Sequence, residues 1–135
     1  MSPTTVTASG TLVASASAAS ATSASAAAYL LALGLTLLVE VPVYLVLAAR
    51  FACLSRPLAL AGAVGVNLLT HPIVYAVALA WPHPVVWVLA ELGAVAVEAL
   101  GLAWAWRVPR PSAWLWLGAV AANALSTAVG LVVLG

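Results

Sequence analysis

The sequence predicts an all-α membrane protein with four transmembrane helices and a polar bundle interior. Of its 135 residues, 66% are hydrophobic and only 5% are charged, whereas a soluble domain carries about 25% charged residues. Four windows are long enough to cross about 30 Å of hydrocarbon, which takes about 20 helical residues: 29–50, 58–81, 85–106 and 113–135. Such a chain cannot build a water-exposed surface, so the lipid bilayer is its expected surroundings.

The arginines predict the orientation of the four windows. All the cations lie in the first and third connections, at Arg50, Arg56, Arg107 and Arg110, and the second connection, 81–84 ("WPHP"), has none. Short connections that carry arginine stay in the cytoplasm. We therefore expect both termini on the extracytoplasmic side.

Residues 1–28 differ from the remainder in being rich in Ser, Ala and Thr without any charge. A secretory signal would need a basic start and a compact apolar core. We expect a disordered extracytoplasmic tail over 1–28, followed by a transmembrane domain over 29–135. A start codon assigned too early would explain the tail equally well.

Composition also excludes several kinds of site. Cys53 is the only cysteine, so neither an intramolecular disulfide nor a cysteine-based metal site can form. The four basic residues are all arginine, which excludes a retinal Schiff base and is too little positive charge for nucleic-acid binding. We expect no cofactor.

Polar side chains fall at two matched depths inside the windows. Counted at 1.5 Å per residue from the cytoplasmic ends, one level at roughly 12 to 17 Å holds Glu98, Asn67, Glu40 and Asn123. A second level at roughly 20 to 23 Å holds His71, Ser126 and Glu91. Within each helix these residues recur at intervals of three, four or seven, which places them on one face. A bundle with a polar interior would bring the four faces together.

The three glutamates lack a positive partner inside the membrane. A charged acid at the bilayer centre costs about 2.5 to 3.5 kcal/mol, and His71 can cancel one charge at most. The remaining acids must be protonated or must share a bound cation. We therefore predict an ion- or proton-binding site made of Glu40, Glu98, His71 and Glu91. Its supporting polar residues are Asn67, Asn123, Thr70 and Ser126.

Plainer interpretations of the same residues remain open. A protonated Glu40 or Glu98 can simply hydrogen-bond an asparagine of a neighbouring helix, and Glu91 can contact water. Ser126 is expected to bond a carbonyl one turn earlier in its own helix. His71 can relay protons or bind a metal, but one imidazole without a second ligand is weak metal evidence, so any metal is unknown. No nucleophile, base and oxyanion donor form a recognisable set, and we assign no catalytic residue.

Pro42 and Pro72 interrupt the first and second windows. Each proline removes the donor of the carbonyl four residues earlier, at Leu38 and Leu68. Such breaks line ion sites in some transporters, but they also act as plain kinks in membrane helices. Both interpretations remain open.

The two halves of the chain share an order of residues. The first reads Glu40, Arg50, Arg56–Pro57, Asn67, and the second reads Glu98, Arg107, Arg110–Pro111, Asn123. A parallel repeat of two helical hairpins about an axis along the membrane normal would produce this order, and such repeats place sites at their interface. Shared topology would also create part of the likeness.

The fourth window carries small residues at intervals of four, namely Gly118, Ala122, Ser126 and Gly130. A ridge of small residues lets two helices approach closely. The ridge can face a helix of the same chain or a second subunit, so a homo-oligomer is one expectation.

Four motifs resemble an uncharacterised family of small four-helix bacterial inner-membrane proteins. They are 40–42 ("EVP"), 67–72 ("NLLTHP"), the pair Glu91 and Glu98, and 123–126 ("NALS"). The resemblance covers the four windows but not the tail, implies a bacterial inner-membrane location, and carries no known activity. A glutamate in the first of four short helices is also similar to small multidrug resistance exporters. The acids of the third window and the one-sided arginines depart from that pattern, so we do not adopt it.

Three functions therefore stand as hypotheses. The first is proton- or cation-coupled transport or conduction, in which Glu40, Glu98 and His71 bind and release protons or a cation. The second is a non-catalytic structural or assembly subunit of a membrane complex. The third is an intramembrane metal-dependent enzyme.

Overall fold

A computed structural model describes residues 9–52, 54–108 and 112–134, with side chains from residue 25 to residue 133. The described residues form four α-helices and no strand: α1 (Ser9–Leu47), α2 (Arg56–Ala80), α3 (Pro84–Ala105) and α4 (Ala113–Leu134). A π-helical turn, Ala48–Ala52, continues α1. Each helix contains a stretch long and apolar enough to cross a membrane, namely Ser25–Ala52, Arg56–Ala80, Pro84–Ala105 and Ala113–Val133. The prediction of an all-α protein with four transmembrane helices is confirmed.

The helix ends differ from the predicted windows by a few residues. Pro57 lies in the first turn of α2 and Pro84 begins α3, positions where a missing backbone N–H costs nothing. The His83 ring accepts a hydrogen bond from the Val85 N–H at 3.2 Å and so caps α3.

In the N-terminal segment, residues 9–28 belong to α1, and residues 1–8 lie outside the described ranges. Alanine has the highest intrinsic helix propensity, and it is the commonest residue of this stretch. The chain divides after Leu31 into two compact units, and the second unit, Ala32–Gly135, contains every residue discussed below.

Small residues allow close packing inside the second unit. α3 packs against both α2 and α4, and Ala63, Ala99 and Ala119 are completely buried. Gly62 lies under the indole of Trp106, where an added Cβ would stand 2.5 Å from Nε1. Large apolar side chains cover the outside, as a lipid-facing surface requires; among the most exposed are Leu38, Trp104, Leu117 and Val132.

The arginines that the structure describes gather at one end of the bundle, here called the arginine end. Arg50 lies in the π-helical turn, Arg56 begins α2, and Arg107 follows α3; Arg110 lies outside the described residues. Arg107 has φ 54°, and the N–H of Val108 bonds the Ala103 carbonyl at 2.9 Å, which is the helix-ending geometry that usually selects glycine. The opposite end, with the connection 81–83, is called the His83 end.

Candidate functional site

The carboxyl group of Glu98 joins all four helices. It belongs to α3, is 2% exposed, and accepts hydrogen bonds from the other three helices. Tyr44 of α1 donates to Oε2 at 2.5 Å, Thr70 of α2 donates to Oε1 at 2.8 Å, and Asn123 of α4 donates to Oε2 at 2.5 Å. Because each donor stands on a different helix, this one carboxyl couples the positions of all four.

Glu40 of α1 forms a second buried carboxyl beside the first. It is 2% exposed, and its Oε1 accepts a hydrogen bond from the Ser126 hydroxyl of α4 at 2.5 Å. The Asn67 side chain lies against it, and Glu98 is close enough to interact with it electrostatically. Within the described part of the chain, Glu40 Oε2 and Asn67 Oδ1 are buried acceptors without a donor. A proton on Glu40 would give such acceptors a donor.

The two helical hairpins, α1 with α2 and α3 with α4, place matching contacts around their glutamates. Each glutamate lies against the asparagine of its own hairpin, Asn67 for Glu40 and Asn123 for Glu98. Each glutamate also accepts a hydrogen bond from a hydroxyl of the other hairpin, Ser126 for Glu40 and Thr70 for Glu98. Each of these hydroxyls stands three residues after the asparagine of its own helix. This is the arrangement that a parallel repeat about an axis along the membrane normal would produce.

The two asparagines also have the same backbone contact. Asn67 Nδ2 donates to the carbonyl of Ala63 at 3.0 Å, and Asn123 Nδ2 donates to the carbonyl of Ala119 at 3.0 Å. Its own helix thereby holds each amide in place. The second N–H and the carbonyl oxygen of each amide remain available to the carboxyls.

Tyr44 breaks this equivalence, and it is the functional candidate that sequence reasoning missed. It follows Glu40 by four residues, while the residue four after Glu98 is Leu102. The hydroxyl of Tyr44 reaches Glu98 of the other hairpin. Its one available signal was the spacing of four from Glu40, which puts both side chains on one helix face.

Thr70 and Ser126 each hold one hydroxyl between two acceptors. Thr70 Oγ1 lies 2.8 Å from Glu98 Oε1 and 3.0 Å from the Val66 carbonyl. Ser126 Oγ lies 2.5 Å from Glu40 Oε1 and 3.0 Å from the Asn123 carbonyl. The bond of Ser126 to the carbonyl three residues earlier is the kind of local contact expected of it, and the bond to Glu40 goes beyond that contact.

A hydroxyl has one proton and two lone pairs, so neither hydroxyl can donate to both acceptors at once. When the carboxyl is ionised, the hydroxyl donates to it. When the carboxyl is protonated, the acid donates to the hydroxyl oxygen, and the hydroxyl donates to its own backbone carbonyl. Both protonation states of Glu40 and Glu98 are therefore hydrogen-bonded without any movement of the helices.

A cavity of about 240 Å³ extends from the two carboxyls toward the His83 end. Its lining includes seven of the predicted site residues: Glu40, Glu98, His71, Glu91, Thr70, Asn123 and Ser126. Toward the His83 end its wall is formed by the half-buried side chains of Ala78 and Trp87. The cavity is thus accessible from that end.

On the other side of the carboxyls the bundle is closed. One helical turn nearer the arginine end, each helix places a side chain that is completely buried: Tyr44, Ala63, Leu102 and Ala119. One further turn along, the four helices place Ala48, Ala59, Trp106 and Leu115, which are at most 3% exposed. We call these two layers the seal. Glu40 and Glu98 therefore lie at the floor of a cavity that has one open end.

Glu91 and His71 lie along the cavity wall instead of at its floor. Glu91 precedes Glu98 by two turns and contacts Thr127 and Trp87. The His71 ring stacks on Tyr75 with 6.2 Å between the ring centroids. Both side chains line the cavity.

Pro42 and Pro72 lie inside continuous helices and on exposed faces. Leu38 and Leu68, whose carbonyls lose a donor, are exposed residues that do not line the cavity. Their positions favour the kink interpretation over a role in an ion site.

The ridge of small residues on α4 faces the inside of this chain. A Cβ at Gly118 would collide with Leu47 of α1, Ala122 is completely buried, and Ser126 bonds Glu40 of α1. Gly130 lines the cavity. The ridge thus lets α4 approach α1 closely.

No group of three His, Cys, Asp or Glu side chains within the described ranges is placed to hold a metal ion, and Cys53 lies outside those ranges.

No family model, curated protein or solved structure matches this chain. The family resemblance therefore stays an expectation. The chain is a membrane-spanning four-helix bundle in which a buried glutamate, Glu98, is hydrogen-bonded to a tyrosine, a threonine and an asparagine.

Proposed function

We propose that this chain carries out proton- or cation-coupled transport across the membrane, with Glu40 and Glu98 as the groups that bind and release the proton. The observation that carries the proposal is the pair of hydroxyls, Thr70 and Ser126, each placed between a carboxyl and a backbone carbonyl. A purely structural carboxyl needs only one hydrogen-bonding pattern. Each of these two carboxyls keeps a hydrogen bond to its hydroxyl in both protonation states.

The balance of charge supports the same function. The sequence contains no lysine, and its described arginines lie at the ends of the spans. Two carboxylates this close together in a medium of low dielectric repel strongly, and each costs free energy to bury. The pair is therefore stable when it shares a proton or a cation, and an arriving cation can displace a proton without changing the net charge.

One-sided access supplies the geometry for coupling. The carboxyls are open to the His83 end through the cavity and closed from the arginine end by the seal. If the arginine end is cytoplasmic, as the positive-inside rule expects, the cavity faces the extracytoplasmic side. Transport would then require the seal to open, and Tyr44 is the seal residue that bonds directly to Glu98.

The test is proton flux in liposomes that contain the purified full-length chain and a pH-sensitive dye, driven by a potassium diffusion potential for conduction and by a gradient of a monovalent cation for electroneutral exchange. Wild type is compared with Glu40→Gln, Glu98→Gln and the double variant, since glutamine has the shape and hydrogen-bonding groups of a protonated acid. Leu117→Ala, on the lipid-facing surface, is the control for reconstitution. We expect the double variant to keep its size-exclusion profile and to lose flux down to the level of empty liposomes. Flux equal to wild type in the double variant would show that the proposal is wrong.

A structural or assembly subunit is the second candidate, and the four-helix connection through Glu98 favours it. In that case wild type itself would give no flux above empty liposomes, while Glu98→Leu would still disturb folding.

A homo-oligomer through the ridge of Gly118, Ala122, Ser126 and Gly130 remains a proposal. It would require α4 to exchange its contacts with α1 for contacts with a second subunit, which crosslinking of the reconstituted protein would detect.

A further inference from the structure

A second, apolar groove runs along the lipid-facing surface between α2 and α3. Its volume is about 400 Å³, within the range of roughly 300 to 1,000 Å³ that is usual for small-molecule sites. Its walls include Ile73, Val77, Leu89, Gly93 and Val97. Thr70 is the one residue of its lining that has a polar side chain.

We propose that this groove binds the apolar chain of an amphiphilic amine, and that the ammonium head of the same molecule enters the cavity and binds at Glu98. The inference rests on the proposed function and names its substrate class: a singly charged organic cation with a long apolar chain, taken sideways from the bilayer.

The first argument is that the groove and the cavity share a wall. Thr70, Val74 and Ala94 line both spaces, so the two spaces are adjacent there, and the ammonium head would pass between these side chains. Thr70 is also the residue whose hydroxyl bonds Glu98. The end of a ligand chain lying in the groove would therefore be close to the buried carboxyl, beside Thr70.

The second argument is chemical complementarity. The cavity contains three carboxyls, and its lining includes the rings of Tyr75 and Trp87, which attract cations to their faces. Neither lining contains lysine or arginine. A neutral lipid chain would use only the groove, and a small hydrated cation would use only the cavity. A molecule with an ammonium group at one end and an alkyl chain at the other uses both.

Gly93 keeps the groove open. A Cβ built at Gly93 meets no atom within 4 Å, so the groove has free space beside this residue. Because Gly93 lines the groove, a large side chain at position 93 would extend into it. Gly65 on α2 is equally free of neighbours and lines neither space, which makes it a matched control.

The exchange step balances in charge and protons. An ammonium N–H bonds the Glu98 carboxylate, and the proton that Glu98 carried leaves through the cavity to water at the His83 end. One monovalent cation enters as one proton departs, and the Thr70 hydroxyl turns from the Val66 carbonyl to the carboxylate. The net charge of the site is unchanged.

The experiment uses the purified full-length chain in lipid nanodiscs and measures the rate at which a hydrophobic carbodiimide modifies each glutamate, mapped by mass spectrometry. The probe is dimethyldodecylamine, a tertiary amine that cannot form a stable amide with an activated carboxyl. Dodecanol supplies the same chain without the charge, and dimethylethylamine supplies the same head without the chain. Proton release on adding each compound in weakly buffered solution is measured in parallel.

We expect dimethyldodecylamine to slow the modification of Glu98 about tenfold by occupying the site and to release protons. The two partial compounds should change the rate by no more than about twofold. Gly93→Leu should lose this protection, and Gly65→Leu should keep it. Full protection in Gly93→Leu, or equal protection by either partial compound, would overturn the inference, as would the absence of both protection and proton release in wild type.

The flux assay separates this inference from the proposed function. If Glu98→Gln abolishes proton flux and the amine gives no protection, transport stands and the amphiphilic substrate is wrong. If the amine protects Glu98 in the expected pattern but the double glutamine variant carries flux like wild type, the binding site stands and the transport function is wrong.

Discussion

Tyr44 of α1 donates a hydrogen bond to Glu98 of α3 from the first layer of the seal. One side chain thus both closes the cavity toward the arginine end and contacts the carboxyl at its floor. A change in the protonation of Glu98 changes the acceptor of this bond, which gives the proposed proton site a direct mechanical link to the closed side of the bundle.

Tyr44→Phe should remove this link and preserve the seal. The ring remains buried, and one hydrogen bond to a buried carboxyl is lost, so we expect the free energy of unfolding to fall by about 1 kcal/mol. Denaturant unfolding of the detergent-solubilised protein measures this. Trp104→Phe, an aromatic replacement on the exposed surface of α3, is the control. Equal stability of Tyr44→Phe and wild type would show that the hydrogen bond between Tyr44 and Glu98 does not stabilise the protein.

Thr70→Val should impair proton exchange much more than Thr70→Ser. Valine has the shape of threonine without the hydroxyl, so Glu98 Oε1 loses its exchangeable partner. Serine retains the hydroxyl. One lost hydrogen bond of about 1 kcal/mol corresponds to a reduction in rate of about fivefold if it is felt at the limiting step. The measurement is initial proton flux in liposomes, and similar flux for valine and serine would argue against the two-acceptor arrangement.

Glu98→Leu should destabilise the bundle, whereas Glu98→Gln should not do so to a comparable degree. Leucine leaves the Tyr44 hydroxyl and the second Asn123 N–H without their acceptor, at a cost of about 1 to 3 kcal/mol for each group that stays unsatisfied. Glutamine still accepts and donates. Unfolding in detergent provides the comparison, with Glu91→Leu at the half-buried cavity wall as control. A larger loss of stability in Glu91→Leu than in Glu98→Leu would show that Glu98 is not the main structural contact of the site.

Gly62→Ala should destabilise the packing of α2 against α3. The new Cβ would stand 2.5 Å from Trp106 Nε1, and Trp106 is itself a buried part of the seal, so the indole must shift. Overpacking of this kind costs about 1 to 3 kcal/mol. Gly65→Ala, with no atom within 4 Å of its Cβ, should instead be neutral or slightly stabilising, because alanine favours the helix over glycine. Equal stabilities of the two variants would contradict the close contact.

The spans and the two polar levels could be read from the sequence because each depends on local properties. Span length follows from apolar composition, and depth follows from counting residues at a fixed rise along one helix. The same counting placed Glu40, Asn67, Glu98 and Asn123 at one level, and these four residues lie at the floor of the cavity or against it.

The hydrogen-bond partners could not be read in this way. Thr70 was predicted as a supporting polar residue, but it points about 100° away from His71 around the helix, and its partner could not be assigned. That rotation aims its hydroxyl at Glu98. Tyr44 was overlooked because a tyrosine near a helix end is equally consistent with an interfacial ring.

By itself, the sequence determined that this chain crosses a membrane four times with uncompensated acids inside, since hydrophobic length and the absence of buried lysine or arginine are properties of composition. Only the tertiary structure decided that two of those acids meet, that a third lines the wall, and that Tyr44 closes one side. The physical reason is that spacing along a helix sets the height of each side chain and which side chains share a face, but not which neighbouring helix that face meets. The rotation of each helix about its axis, which selects the contacts, is set by how small residues such as Gly62 and Gly118 let neighbouring helices approach.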